Sequence, residues 1–277
     1  MIKDLIVHLE HHVARDSARD FAITVAEKFD AHIVGVAFVY APDFPGYVTL
    51  QIPSDIVAQM VIESEKAAST AIERFKAAAT RSLVSAEHWL LKGVGSDAPV
   101  VLSVLARRFD VSVFMQSDPE NVDNDDMIEA SLFESGRPII VVPYIQKGGL
   151  NLDHVVCCWD GSRAAASAIN DAMPLLIKAT MVDFLIVVNN KTQNERNEIR
   201  GTEMGKHLAR HDVKVEIVTI PAADIDVASA ILSYVADSSG TLLVMGGYGH
   251  AKLREVILGG VTRDMLKSMT VPTFMSH

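Results

Sequence analysis

The strongest constraint on this chain is that it writes one order of elements twice. Residues 4–22, DLIVHLEHHVARDSARDFA, lie over residues 154–172, HVVCCWDGSRAAASAINDA, at an offset of 150. That register sets Glu10 on Asp160, Ser17 on Ser167, Ala18 on Ala168 and Ala22 on Ala172. The apolar run 33–40 matches 181–188 at an offset of 148. Residues 101–116 match 231–246, bringing Leu102, Ser103, Ala106 and Met115 onto identical residues. Closing runs at 138–143 and 272–277 also correspond. A drifting offset marks insertions between shared elements, which loops tolerate. No single identity persuades, but the repeated order does, and it implies one supersecondary unit built twice.

Within each half, short β-branched runs alternate with longer amphipathic stretches. Strands are predicted at residues 4–9, 32–40, 84–91, 111–116 and 139–143, then at 154–159, 181–188, 213–219, 241–246 and 272–276. Ala18, Phe21, Ala22, Val25, Ala26 and Phe29 recur at helical spacing and give one apolar face. Residues 54–81 predict a long helix, with Ser54 after Pro53 as its N-cap. Near-continuous apolar strands separated by helices imply a parallel sheet covered on both faces. The expectation is therefore an α/β chain of two tandem five-stranded domains, residues 1–147 and 151–277. The QKGGLN turn at 146–151 would join them, and 277 residues suit two domains.

Composition excludes several classes. Charge is −10, which argues against wholesale attraction to nucleic acid or to an anionic membrane surface. Its two cysteines, Cys157 and Cys158, are neighbours on a strand and point to opposite faces, so free thiols in a reducing compartment are expected. The N-terminal apolar segment is too short for a signal peptide and no run approaches a membrane span, so the expected location is cytoplasmic.

Chemistry concentrates after the fourth strand of the second half, in TLLVMGGYGHAKLREVILGGVT. A buried strand breaks into Gly246, Gly247 and Gly249; nine residues then separate Gly249 from the pair Gly259–Gly260, and a helical pattern follows. Glycines let an anion approach bare N–H groups, and a helix N-terminus adds unpaired donors, so the loop reads as a phosphate cradle. A plain turn is the bland alternative. Neither GxxxxGK[ST] nor a glycine fingerprint after a first strand occurs. Lys252 and Arg254 could meet a terminal phosphate or form a solvated helix face; His250 could approach a phosphate or cap the turn.

Open parallel sheets bind ligands beyond the carboxyl ends of their strands. That groups loops 159–163, 188–192 and 246–262, with Asp160 opposite the glycines. Asp160-Gly161-Ser162 can cap the next helix, and its carboxylate can also accept from an exocyclic amine or a ribose hydroxyl. Trp159 is read as core rather than as a stacking platform.

The first half lacks this cradle. Its equivalent loop carries Asp123, Asp125 and Asp126, which would repel phosphate, and it is read as a solvated acidic loop. His8, His11 and His12, clustered with Glu10, are read as loop and edge histidines rather than as a metal site. Residues 41–53 are apolar and proline-rich for a connection, suiting a lid, a partner surface or a wall. No catalytic constellation is visible.

The G-x-x-G, nine residues, G pattern after a fourth strand, with D-G-S after the first, resembles the nucleotide-binding motif of universal stress proteins, and the duplication resembles their tandem members. The resemblance implies ATP or another adenine nucleotide, with or without Mg2+, held in the second half as a sensor or regulatory module. Asp160 would face the adenine side and Val187 would line the base. Gly246, Gly249 and Gly259 would admit the ribose and phosphates, with His250, Gly260, Val261 and Thr262 beside them. Gly260 departs from the usual Ser/Thr, which Thr262 could offset, and Trp159 replaces a smaller residue. One nucleotide per chain at most is expected, in a stress-response protein whose halves pack as an internal pseudo-dimer, with homodimerisation left open. Two alternatives stand: an interaction protein whose sites have decayed, and slow ATP hydrolysis or self-phosphorylation.

Overall fold

Each run of β-branched residues becomes a strand because its side chains fit a pleated surface buried on both faces. The computed structural model describes residues 1–11, 13, 15–41, 53–92, 96–118, 120, 122–188, 195–222, 225–247 and 260–277. Its chain divides into two compact units, Met1–Arg137 and Pro138–His277.

In the first unit the strands are β1 (Asp4–His8), β2 (His32–Val39), β3 (Ala86–Lys92) and β4 (Val111–Met115). All are parallel, in the order β3-β2-β1-β4. The helices are α1 (Ser17–Phe29), α2 (Ser54–Arg81), α3 (Ala98–Ala106) and α4 (Asp125–Glu134). The first helix buries the predicted face, Ala18, Phe21, Ala22, Val25, Ala26 and Phe29, and Asp16 caps it by accepting from Arg19 N–H. Pro53, not Ser54, occupies the N-cap of α2, and no side chain caps that end. Only the C-terminal part of α2 is buried, through Ala68, Ala71, Ile72, Phe75, Ala78 and Ala79.

The second unit contains β5 (Ile139–Val142), β6 (His154–Trp159), β7 (Met181–Val188), β8 (Val215–Pro221), β9 (Leu242–Gly246) and β10 (Thr273–Ser276). Its order is β5-β10-β9-β6-β7-β8, parallel except where β5 runs against β10, with Ile140 opposite Phe274. The closing strands of the two repeats thus pair with each other, which draws β5 into the second unit. Among the described residues the helices beside them are α5 (Arg163–Asp171), α6 (Met173–Leu176), α7 (Glu195–Arg210), α8 (Val227–Asp237) and α9 (Gly260–Ser268).

Central strands are buried throughout, while β3 and β8 are largely exposed, as befits outer strands. Phe21, Phe38, Phe75 and Phe114 fill the first core, and Phe184 and Phe274 the second; each fully buried ring contributes about 1.5–3 kcal/mol. Among the described residues no helix is long and apolar enough to cross a membrane.

Candidate nucleotide site

In the second unit the chain runs outward from β6 to β7 and β8, then returns to β6's other side as β9. The order therefore reverses between β6 and β9, the point of an open parallel sheet where ligands bind beyond the carboxyl ends of the strands. Trp159 pairs with Ile186 and Cys157 with Val244. Carrying these registers on places Asp160 in one row with Val187 on one side and Gly247 on the other. At the usual strand spacing that row spans about 10 Å.

Asp160 is exposed, and its Oδ1 accepts the Ser162 N–H at 2.8 Å. Gly161 between them has φ +77°, a conformation a side chain would strain. Ser162 Oγ then accepts the Ala165 N–H at 3.1 Å and caps α5. The D-G-S sequence thus performs its capping role and still leaves a carboxylate at this edge. Val187 is half-buried beside Ile220 of β8. Trp159 is core, as expected: it is 9% exposed and its ring lies 5.6 Å from that of Phe184.

Gly246 ends β9 for a reason that the sequence did not disclose. A Cβ there would lie 2.5 Å from Ala165 N and 2.6 Å from the Ala164 carbonyl carbon. The missing side chain is what lets the first turn of α5 rest against β9. Gly247 is tied down on both sides, donating to Ser276 O at 2.8 Å and accepting from His277 Nδ1 at 2.9 Å. Past the loop, α9 opens with Gly260 and Val261 exposed, whereas Thr262 is 3% exposed. Among the described residues the nearest atom to a Cβ on Gly260 would be Asp264 Oδ2 at 3.8 Å. Gly249, His250, Lys252, Arg254 and Gly259 lie outside the described residues, as do His12 and residues 42–52. Strand pairing thus brings together Asp160, Val187 and the Gly246–Gly247 pair.

At the same edge of the first unit, read as loop and edge histidines beside a solvated acidic loop, two of the residues are buried. His8 is the last residue of β1 and is 4% exposed, and Glu10 is 6% exposed. Asp123, Asp125 and Asp126 are indeed exposed, but Asn124 among them is 2% exposed and donates to Glu10 Oε1 at 2.6 Å. These residues are 114 positions apart, and no local spacing announces their meeting. No group of three or more His, Cys, Asp or Glu among the described residues is arranged to hold a metal ion.

No family model matches the chain. Over 136 residues it is 22% identical to a universal stress protein of Synechocystis sp., a match covering 49% of this chain and 45% of that relative. The matched stretch is thus under half of the relative's length. The crystal structure of a universal stress protein from Archaeoglobus fulgidus superposes with a TM-score of 0.73 at 14% identity, covering 99% of this chain and 97% of that one. A protein of unknown function from Pseudomonas aeruginosa gives 0.59 at 14% identity, covering 99% and 92%. Along both repeats the chain therefore shares the tandem α/β fold of that universal stress protein structure.

Proposed function

We propose that the second unit binds an adenine nucleotide, ATP foremost, as a sensor or regulatory module in a stress response. The observation that carries this reading is the register of β6 and β9, which extended past Cys157–Val244 sets Asp160 beside Gly246–Gly247 at the reversal of strand order. In this reading the exposed Asp160 carboxylate accepts from the adenine amine or a ribose hydroxyl, and Val187 forms the apolar side of the base pocket. The N–H groups of Gly260 and Val261, at the start of α9, face the phosphates with the positive end of the helix dipole. Because the Thr262 side chain is buried, its contribution would come through its backbone N–H rather than its hydroxyl. Gly249, His250 and Gly259 would complete the cradle, and Mg2+ would accompany the phosphates. Gly246 supports the site indirectly, by seating α5 so that Asp160 stands at this edge.

Free thiols at Cys157 and Cys158 suit a cytoplasmic location. Mass spectrometry of small molecules released from the purified chain tests the reading. Adenine nucleotide at no more than one per chain is expected; none, even after incubation with ATP, would overturn it.

A further inference from the structure

The carboxyl edge of the first unit encloses a cavity of about 200 Å3 that nucleotide binding in the second unit does not use. Its polar wall is His8, Glu10, His11, Tyr40, Asp123 and Asn124, with Leu9 and Val122 beside them. Glu10 is fixed twice: its N–H donates to Asp16 Oδ2 at 3.0 Å, and its Oε1 accepts from Asn124. Asn124 is itself held by donating to Met115 O at 3.0 Å. His8 Nδ1 lies 3.3 Å from Glu10 Oε1, yet neither ring nitrogen of His8 makes a hydrogen bond. Leaving a buried polar atom unpaired costs about 1–3 kcal/mol. A wall needed only for packing would be apolar here, so the arrangement points to a ligand.

The chemistry of that ligand follows from the lining. Among the described lining residues there is no lysine or arginine, and Asp123 stands exposed, so a phosphate would be repelled. Burial raises the Glu10 carboxyl, but His8, the Asn124 hydrogen bond and His11 outweigh it and hold the group below its usual range, so Glu10 is charged. A neutral His8 keeps one ring nitrogen as an acceptor. The rings of His11 and Tyr40 lie 5.8 Å apart and add aromatic surface. The volume is below the range of drug-sized pockets, which begin near ~300 Å3.

We propose that this cavity binds a small organic cation bearing N–H donors, an amine or amidine, with Glu10 as counter-ion, a ring nitrogen of neutral His8 as second acceptor and the Tyr40 ring as cation–π surface. Calorimetric titration of the full chain with benzamidine tests it, with benzamide as the neutral isostere. Saturable binding of one benzamidine per chain is expected, at least about tenfold weaker for benzamide and at least about tenfold weaker in Glu10→Gln, with no competition from ATP. Absence of saturable binding at millimolar benzamidine, equal affinity for benzamide, an unchanged Glu10→Gln variant, or competition by ATP would each overturn it. If Glu10→Gln does not fold by circular dichroism, the His8 ring resonances of the wild-type chain decide. A saturable shift with benzamidine supports the site, and no shift overturns it.

Discussion

Gly246→Ala places a methyl group 2.5 Å from Ala165 N and 2.6 Å from the Ala164 carbonyl carbon, where no rotamer change can relieve it. Restoring ordinary contact distances requires α5 to move off β9 by roughly 1 Å. Overpacking of this kind costs about 1–3 kcal/mol, and the upper end applies because backbone atoms are struck. Reduced freedom of the unfolded chain returns about 0.4–1 kcal/mol, leaving a net loss of about 2 kcal/mol. For a chain of this size that lowers Tm by roughly 4–8 °C. Gly260→Ala is the control, since among the described residues its new Cβ meets nothing closer than 3.8 Å and alanine favours a helix. A gain of about 0.5–1 kcal/mol is expected there. The chain has two tryptophans, Trp89 in the first unit and Trp159 in the second. Urea unfolding followed by Trp159 fluorescence in a Trp89→Phe background therefore reads the second unit alone. If Gly246→Ala proves as stable as Gly260→Ala, close packing of α5 on β9 does not explain the glycine.

Three further outcomes follow from buried polar groups. Burial, with the charge of Glu10, pushes the Asp16 carboxyl up to about 7. Raised above its unfolded value near 3.8, it contributes stability that is full below that value and lost as pH rises through about 7. Asp16 therefore makes the first unit's urea midpoint fall between about pH 4 and 7, and Asp16→Asn should flatten that slope. In the second unit the buried Asp183 Oδ2 accepts from His154 Nε2 and from Tyr234 O–H, each at 2.6 Å. Tyr234→Phe should cost about 1.5–3 kcal/mol, with coupling above about 0.5 kcal/mol in a double-mutant cycle with His154→Gln. Burial also pushes the Cys157 thiol up, and the Cys158 thiol to about 12. Both should stay unlabelled by a thiol reagent at mildly alkaline pH until the chain is unfolded, as counted by mass spectrometry.

The fold was legible because its signals are local and repeated. Strand β6 and strand β7 occupy the predicted residues, 154–159 and 181–188, and α2 spans 54–81. The other strands shift by one or two residues at their ends, where pairing rather than composition sets the limit. For β5 the matched closing runs 138–143 and 272–277 are related in sequence, and the fold adds that β5 is hydrogen-bonded antiparallel to β10. Asp160 could be placed at a ligand edge from strand order alone. Gly246 could be picked out as special, but packing against α5 depends on a helix 80 residues earlier. The His8–Glu10–Asn124 cluster stayed hidden because charge pattern around Asn124 reads as a solvated loop, and burial is a tertiary property.

Calorimetric titration of the purified chain with ATP, set against the Asp160→Ala variant, tests the proposed nucleotide site most directly. One site per chain is expected, weakened about tenfold or more when the carboxylate is removed. No binding at millimolar ATP, or binding that Asp160→Ala leaves untouched, would contradict the assignment of the site between β6 and β9.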